Sequence, residues 1–186
     1  MVTHAERKQF TLDEYHRLAE AGILTEDDNV ELINGQIVQT AAMGKRHAGC
    51  VAYLDELLHT AAPSQAMVRV QLPVAIPKYD EPEPDVVMIR RRDDYYRGGH
   101  PIPDDVLLLI EVANTSLAFE RDIKFPIYAK ALIPEAWLID LTGEVIERHT
   151  NPSPGGYRLV TRAWRGESIE SLALPGLALR ADEVLG

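Results

Sequence analysis

One cysteine, Cys50, stands among 186 residues, and that scarcity removes several kinds of chemistry. An internal disulfide, a Cys-rich zinc site and a CxxC redox pair all need more than one. Cys50 falls on the apolar side of an expected helix, where a small core residue is the simpler reading than a reactive thiol. Long hydrophobic runs are missing too. The longest, Val106 to Ile110, is far short of the roughly 20 residues that a membrane helix needs. Met1 to Phe10 are polar and carry no apolar signal region, so a soluble cytoplasmic protein is the expectation. Positive charge is also short. Nineteen Lys and Arg against 29 Asp and Glu leave a net charge of −10, which argues against coating nucleic acid or an anionic membrane by bulk attraction. A locally basic groove remains compatible with that balance. The sequence shows no internal repeat, low-complexity stretch, zinc-finger pattern or helix-turn-helix signature, so no sequence specificity toward DNA can be inferred.

The length suits one domain over residues 1–186, and 46% hydrophobic with 26% charged residues is ordinary for a packed core. Thr11-Leu-Asp-Glu14 fits a capping box, in which the Thr hydroxyl and the Glu carboxylate satisfy free backbone donors, and Gly22 is a plausible stop. Val30–Ile33 and Gln36–Val38 flank Asn34-Gly35, the turn that a tight hairpin prefers because both central residues need positive φ. Lys45 to Ala61 predicts a second helix with Val51, Leu54, Leu57, Leu58 and Ala61 as its core stripe. Strands are expected over Met67–Ile76, Asp85–Ile89 and Val106–Ala113, the last two nearly all apolar, as in central strands covered on both faces. A helix over Ser116–Leu132, bent by Pro126, and strands over Ala136–Leu141, Glu144–His149 and Tyr157–Ala163 complete the pattern. The order implies a mixed α/β (α+β) domain with one curved central β-sheet flanked by helices.

Charge in apolar strands is the informative departure. Glu111 lies within Leu107-Leu-Leu-Ile-Glu-Val-Ala113, where burial without a partner would cost several kcal/mol. Pro84 biases Glu83 toward an extended conformation, which delivers Asp85 to the mouth of its strand. Two carboxylates at comparable depths on neighbouring strands repel each other unless a cation or a shared proton lies between them. Oxygen ligands with room for water suit Mg²⁺ or Mn²⁺. Taken singly, Asp85 is readable as a turn residue and Glu111 as a strand end reaching solvent or an arginine. Lys124, in the helix that follows the Glu111 strand, can double back onto both acids or stay solvated.

At these residues the chain resembles the PD-(D/E)XK nuclease superfamily, with its restriction-endonuclease-like fold, and more narrowly the Uma-two family. The resemblance rests on Glu31-Leu-Ile-Asn-Gly35, His47, Glu83-Pro-Asp85, Ile110-Glu-Val112, Asn114-Thr-Ser116, Arg121 to Lys124, Tyr128 and Ile133-Pro-Glu-Ala-Trp-Leu-Ile-Asp140. The superfamily's E-x-K would put a lysine at position 113, where this chain has Ala113; in the Uma-two pattern the lysine moves to the following helix, the place of Lys124. The acid four positions earlier is Glu120 here rather than the more usual Asp.

The resemblance implies a Mg²⁺-dependent DNA endonuclease. Asp85 and Glu111 would hold the metal with the Val112 carbonyl, and Glu31 would be an extra ligand, direct or through water. Lys124 would orient the attacking water or stabilise the transition state. Gln71, His47 and Tyr128 are candidates to support these groups, although His47 is equally readable as solvent-facing and Tyr128 as packing. Arg90, Arg91, Arg92 and Arg97 form the densest basic cluster and are the candidate DNA contacts. Two-strand cleavage and the frequency of two-fold dimers point to a homodimer. The competing readings are a non-catalytic nucleic-acid-binding or assembly module that keeps the fold, and an enzyme using the same acids on another phosphodiester.

Overall fold

Thr11 caps the first helix as its sequence predicts: the Thr11 hydroxyl accepts from the Glu14 N–H, and the Glu14 carboxylate accepts from the Thr11 N–H. The computed structural model describes residues 7–40 and 43–186. Helix α1 (Leu12–Glu20) is followed by strands β1 (Val30–Ile33) and β2 (Gln36–Gln39), which pair antiparallel. Asn34 and Gly35 turn that hairpin with φ of 51° and 69°. The Tyr15 hydroxyl donates to the Val30 carbonyl and ties α1 to the hairpin.

Helix α2 (Lys45–Ala61) has the predicted bounds and buries Cys50, Val51, Leu54 and Leu58. Cys50 is a free, buried thiol in the α2 core. The main sheet has six strands in the order β3 (Ala66–Val70), β4 (Val86–Arg90), β5 (Val106–Ala113), β6 (Glu135–Asp140), β7 (Val145–Ser153) and β8 (Gly156–Trp164). Only β5 and β6 run parallel; every other neighbouring pair in the sheet is antiparallel. A parallel pair needs a crossover, and the chain between them is helical: α3 (Leu117–Phe119), a π-helical turn (Glu120–Lys124) and α4 (Phe125–Lys130).

Alternation along β5 sorts the core into two halves. Leu108, Ile110 and Val112 pack against the α2 side, whereas Leu109 and Ala113 pack against α4. Glu111 shares the parity of Leu109 and Ala113, so the sheet aims it at the crossover helix.

Three elements differ from the sequence expectation. The strand expected to run to Ile76 stops at Val70: Gln71 still donates its N–H to the Asp85 carbonyl opposite it, but its φ of 50° turns the chain out of the strand. The helix expected over Ser116–Leu132 contains a π-turn just before Pro126. Proline has no N–H for the carbonyl four residues back, and the Phe125 N–H reaches the Glu120 carbonyl instead. Beyond β8 the chain adds β9 (Ser168–Glu170), β10 (Ala178–Arg180) and α5 (Ala181–Leu185), whose apolar residues are too dispersed to announce themselves in sequence.

That C-terminal segment is fastened by one buried acid. Glu135 on β6 accepts the Trp137 indole N–H, the Ser171 hydroxyl and the Leu172 and Ala173 N–H groups. Removing the carboxylate strands four donors, each costing about 1–3 kcal/mol when buried and unpaired. Glu135→Ala is therefore expected to lower the unfolding free energy by about 3 kcal/mol or more. Urea denaturation measures that loss, and hydrogen exchange should show the segment after Glu170 losing protection first.

Candidate active site

The site forms where β4 begins and β5 ends. The last ladder pair of β4 and β5 at that end joins Val86 to Ile110, so the backbone of Val112 extends past its neighbour. Its N–H donates to Asp85 Oδ2 at 2.8 Å, and its carbonyl points to the same side without a ladder partner on β4. In return the Asp85 N–H donates to Glu111 Oε2 at 3.3 Å. The two acids singled out from sequence are thus adjacent, each held by the other residue's strand.

Lys124 completes the group from the crossover. Its Nζ lies 2.8 Å from Glu111 Oε1, 3.3 Å from Glu31 Oε2 and 3.5 Å from Glu120 Oε2. The lysine is only 2% exposed and Glu111 only 1%. Burial alone would lower the Lys124 pKa, but Glu111, Glu31 and Glu120 outweigh it and hold the ammonium above the ordinary lysine range. Glu31 reaches the group from β1, with both carboxylate oxygens turned to the ammonium.

The supporting residues are placed as follows. The Tyr128 hydroxyl, fully buried, donates to the same Glu111 Oε1 that Lys124 contacts. His47, one turn into α2, lies 3.0 Å from Asp85 Oδ2, and that hydrogen bond raises its pKa. Gln71 lines the cavity, its N–H on the Asp85 carbonyl and its side-chain amide on the Met43 sulfur. The arginines are not brought to this site. Residues 90–92 end β4 or follow it, so the strand carries Arg90 roughly 17 Å from Asp85. Arg90 and Arg91 bond backbone carbonyls of Asp104, Ser64 and Ala66, Arg92 pairs with Asp94, and Arg97 lies over the Tyr95 ring.

The acids open onto a cavity of about 670 Å³. Five carboxylates line it (Glu31, Glu83, Asp85, Glu111 and Glu120), facing Lys124 and His47, with neutral Asn29, Gln39, Thr40, Asn114, Thr115 and Ser116 at its walls. In the sequence Glu83 stood out only as part of the motif that delivers Asp85, not as a site residue. The signal was present, because residues two apart on extended chain share a side, and Pro84 enforces the extension. Burial raises the carboxyl pKa values of Glu111, Glu120 and Glu83, with neighbouring acids adding to it. Counted as ionised, the five carboxylates outnumber the charges of Lys124 and His47.

That excess, together with hard oxygen donors, fits a divalent cation. Glu31 Oε2 and Glu120 Oε2 are enclosed and meet the Lys124 ammonium only at ion-pair distances of 3.3 and 3.5 Å, making no hydrogen bond. Asp85 Oδ1 takes none among the described residues, where Oδ2 takes two. As they lie around the ammonium, no three His, Cys, Asp or Glu side chains among the described residues stand close enough together to share one metal.

The π-turn that carries Glu120 and Lys124 is itself anchored. Arg121 lies 3.4 Å from Glu147 Oε1 on β7, and Arg162 and His149 reach the same buried carboxylate at 2.8 Å and 3.1 Å. The His149 contact and then the two arginines hold the Glu147 carboxyl down from 4.5 to about 2. A carboxylate lowered on folding stabilises the protein above its unfolded pKa, and the effect fades as pH falls through the folded value. Glu147→Gln should cost about 2 kcal/mol at pH 7, less than the full shift because its arginine partners are exposed. Urea titrations of both proteins should converge as the pH falls from 4.5 to about 2.

Among curated proteins none matches this chain. The fold is similar to the crystal structure of a "putative nuclease" belonging to DUF820 from Anabaena variabilis ATCC 29413. The TM-score is 0.68 over 95% of this chain and 97% of that one, with 15% sequence identity. A family model, Uma2, described as "Putative restriction endonuclease", matches residues 12–182. That span runs from α1 into α5 and includes every acid of the cavity, and the chain belongs to the Uma2 family.

Proposed function

We propose that this protein is an endonuclease that hydrolyses DNA phosphodiester bonds with the help of Mg²⁺ or Mn²⁺. One observation carries the reading: a buried ammonium, Lys124, stands 2.8 Å from Glu111, whose strand in turn bonds the Asp85 carboxylate. A nuclease must neutralise charge that grows on a phosphate and direct a water at phosphorus, and this group supplies both requirements. A bound divalent cation would lower the pKa of a coordinated water and offset phosphate charge.

The chain's own residues do the rest. Asp85, through its unbonded Oδ1, and Glu111, through Oε2, would hold the cation together with the Val112 carbonyl. The hydrogen bond from Tyr128 fixes the rotamer of Glu111, and His47 does the same for Asp85. Lys124 has no acceptor role and keeps its charge, so it stabilises negative charge at the phosphate and orients the attacking water rather than removing its proton. The neutral amides and hydroxyls of Asn29, Gln39, Asn114 and Thr115 can bond phosphate or sugar oxygens without repelling them.

Plasmid DNA incubated with Mg²⁺ or Mn²⁺ should be nicked or linearised, and excess EDTA should stop the reaction. Asp85→Ala and Lys124→Ala are each expected to reduce the rate by ~100-fold or more. Metal binding with no cleavage of DNA or RNA, single- or double-stranded, would instead identify a binding or assembly module that keeps the nuclease fold.

A further inference from the structure

The carboxylate oxygens of the cavity divide by what already faces them. Glu111 Oε2 faces the Asp85 N–H at the start of β4, and Asp85 Oδ1 accepts no hydrogen bond among the described residues, where Oδ2 takes two. At Lys124, three acids from three separate elements converge on one ammonium. Glu111 comes from β5, Glu31 from β1 and Glu120 from the π-turn, at 2.8, 3.3 and 3.5 Å from Lys124 Nζ. A salt bridge needs one carboxylate. Three in this seat around a single charge are more carboxylates than one ammonium can neutralise, and the enclosed Oε2 atoms of Glu31 and Glu120 meet it at ion-pair distance without forming hydrogen bonds.

The seats share Glu111, which offers Oε2 to one and Oε1 to the other. Nucleases and phosphatases with two metals place them ~3.5–4 Å apart, bridged by shared ligands, so that both the attacking and the leaving oxygen are covered. We propose that the ammonium of Lys124 fills the second of two cation seats, so that this protein binds a single divalent cation. The inference rests on the metal-dependent nuclease reading above. In this arrangement the chain itself supplies the second positive centre, tethered on the π-turn. Glu31 and Glu120 hold the lysine rather than the metal.

The measurement is a Mn²⁺ titration, followed by electron paramagnetic resonance and calorimetry, of the wild-type chain and of Lys124→Ala. The expected result is one Mn²⁺ per wild-type chain and two per chain of the variant. In the variant the shortened side chain leaves the three acids free to take a cation. Removal of one charge at a distance would change affinity but not the number bound. Two ions in the wild type, or one in the variant, would overturn the proposal and leave the nuclease reading standing. No ion in either protein would overturn both.

Glu31→Gln provides a second measurement that does not depend on the lysine variant folding. If Glu31 serves the ammonium, the single Mn²⁺ site keeps its affinity within ~3-fold, whereas Asp85→Asn loses ~10–100-fold or more. A comparable loss in Glu31→Gln makes Glu31 a metal ligand and removes the lysine's seat.

Discussion

Everything at this end of the molecule follows from enclosing one ammonium. A lysine taken out of water is stable only where carboxylates surround it, and carboxylates taken out of water need a cation in turn. Lys124 meets that condition with acids from β1, β5 and its own π-turn, so the hairpin, the sheet and the crossover helix must arrive together. The same condition makes the site negative overall, since five acids surround two basic side chains. Burial first, and then the neighbouring acids, raise the pKa values of Glu111, Glu120 and Glu83.

The rest of the fold serves to keep these groups in place. A β5–β6 parallel pair forces a crossover, and the crossover puts a helix over the end of β5 where Glu111 points. Within that helix the π-turn reconciles Pro126 with a continuous helical path, and it sets Glu120 and Lys124 on the same side. Glu147 then clamps the turn to β7 through Arg121. Glu135 plays a different part. Its neighbourhood, Pro134-Glu-Ala-Trp137, lies within the span that matches the family, yet its carboxylate serves the C-terminal segment and lies outside the cavity.

Charge reads differently in three dimensions than in composition. The net charge of −10 argued against nucleic acid, and part of that balance is the cavity itself, where a divalent cation would reverse it. The arginines that looked like a phosphate clamp are far from the acids along β4. Their donors already reach Asp94 and the carbonyls of Ser64, Ala66 and Asp104. The walls of the cavity itself carry neutral side chains, Asn29, Gln39, Thr40, Asn114, Thr115 and Ser116 among them.

Local rules decide what local sequence can specify. The Thr11 capping box, the Asn34-Gly35 hairpin and the approximate extent of α2 were legible, because each depends on residues within a few positions of one another. Asp85, Glu111 and Lys124 were legible as a set, since an acid inside an apolar strand has few outlets and a lysine on the next helix is one of them. The meeting of Glu31 and Glu120 around that lysine was not, nor was the removal of Arg90–Arg92 from the site. Both depend on strand register and on which end of the sheet each residue reaches, and a pairing 93 residues apart leaves no mark in the local pattern. Sequence by itself determined which groups had to be paired; tertiary structure decided which partner each one took, because burial becomes costly only once the layers close over it.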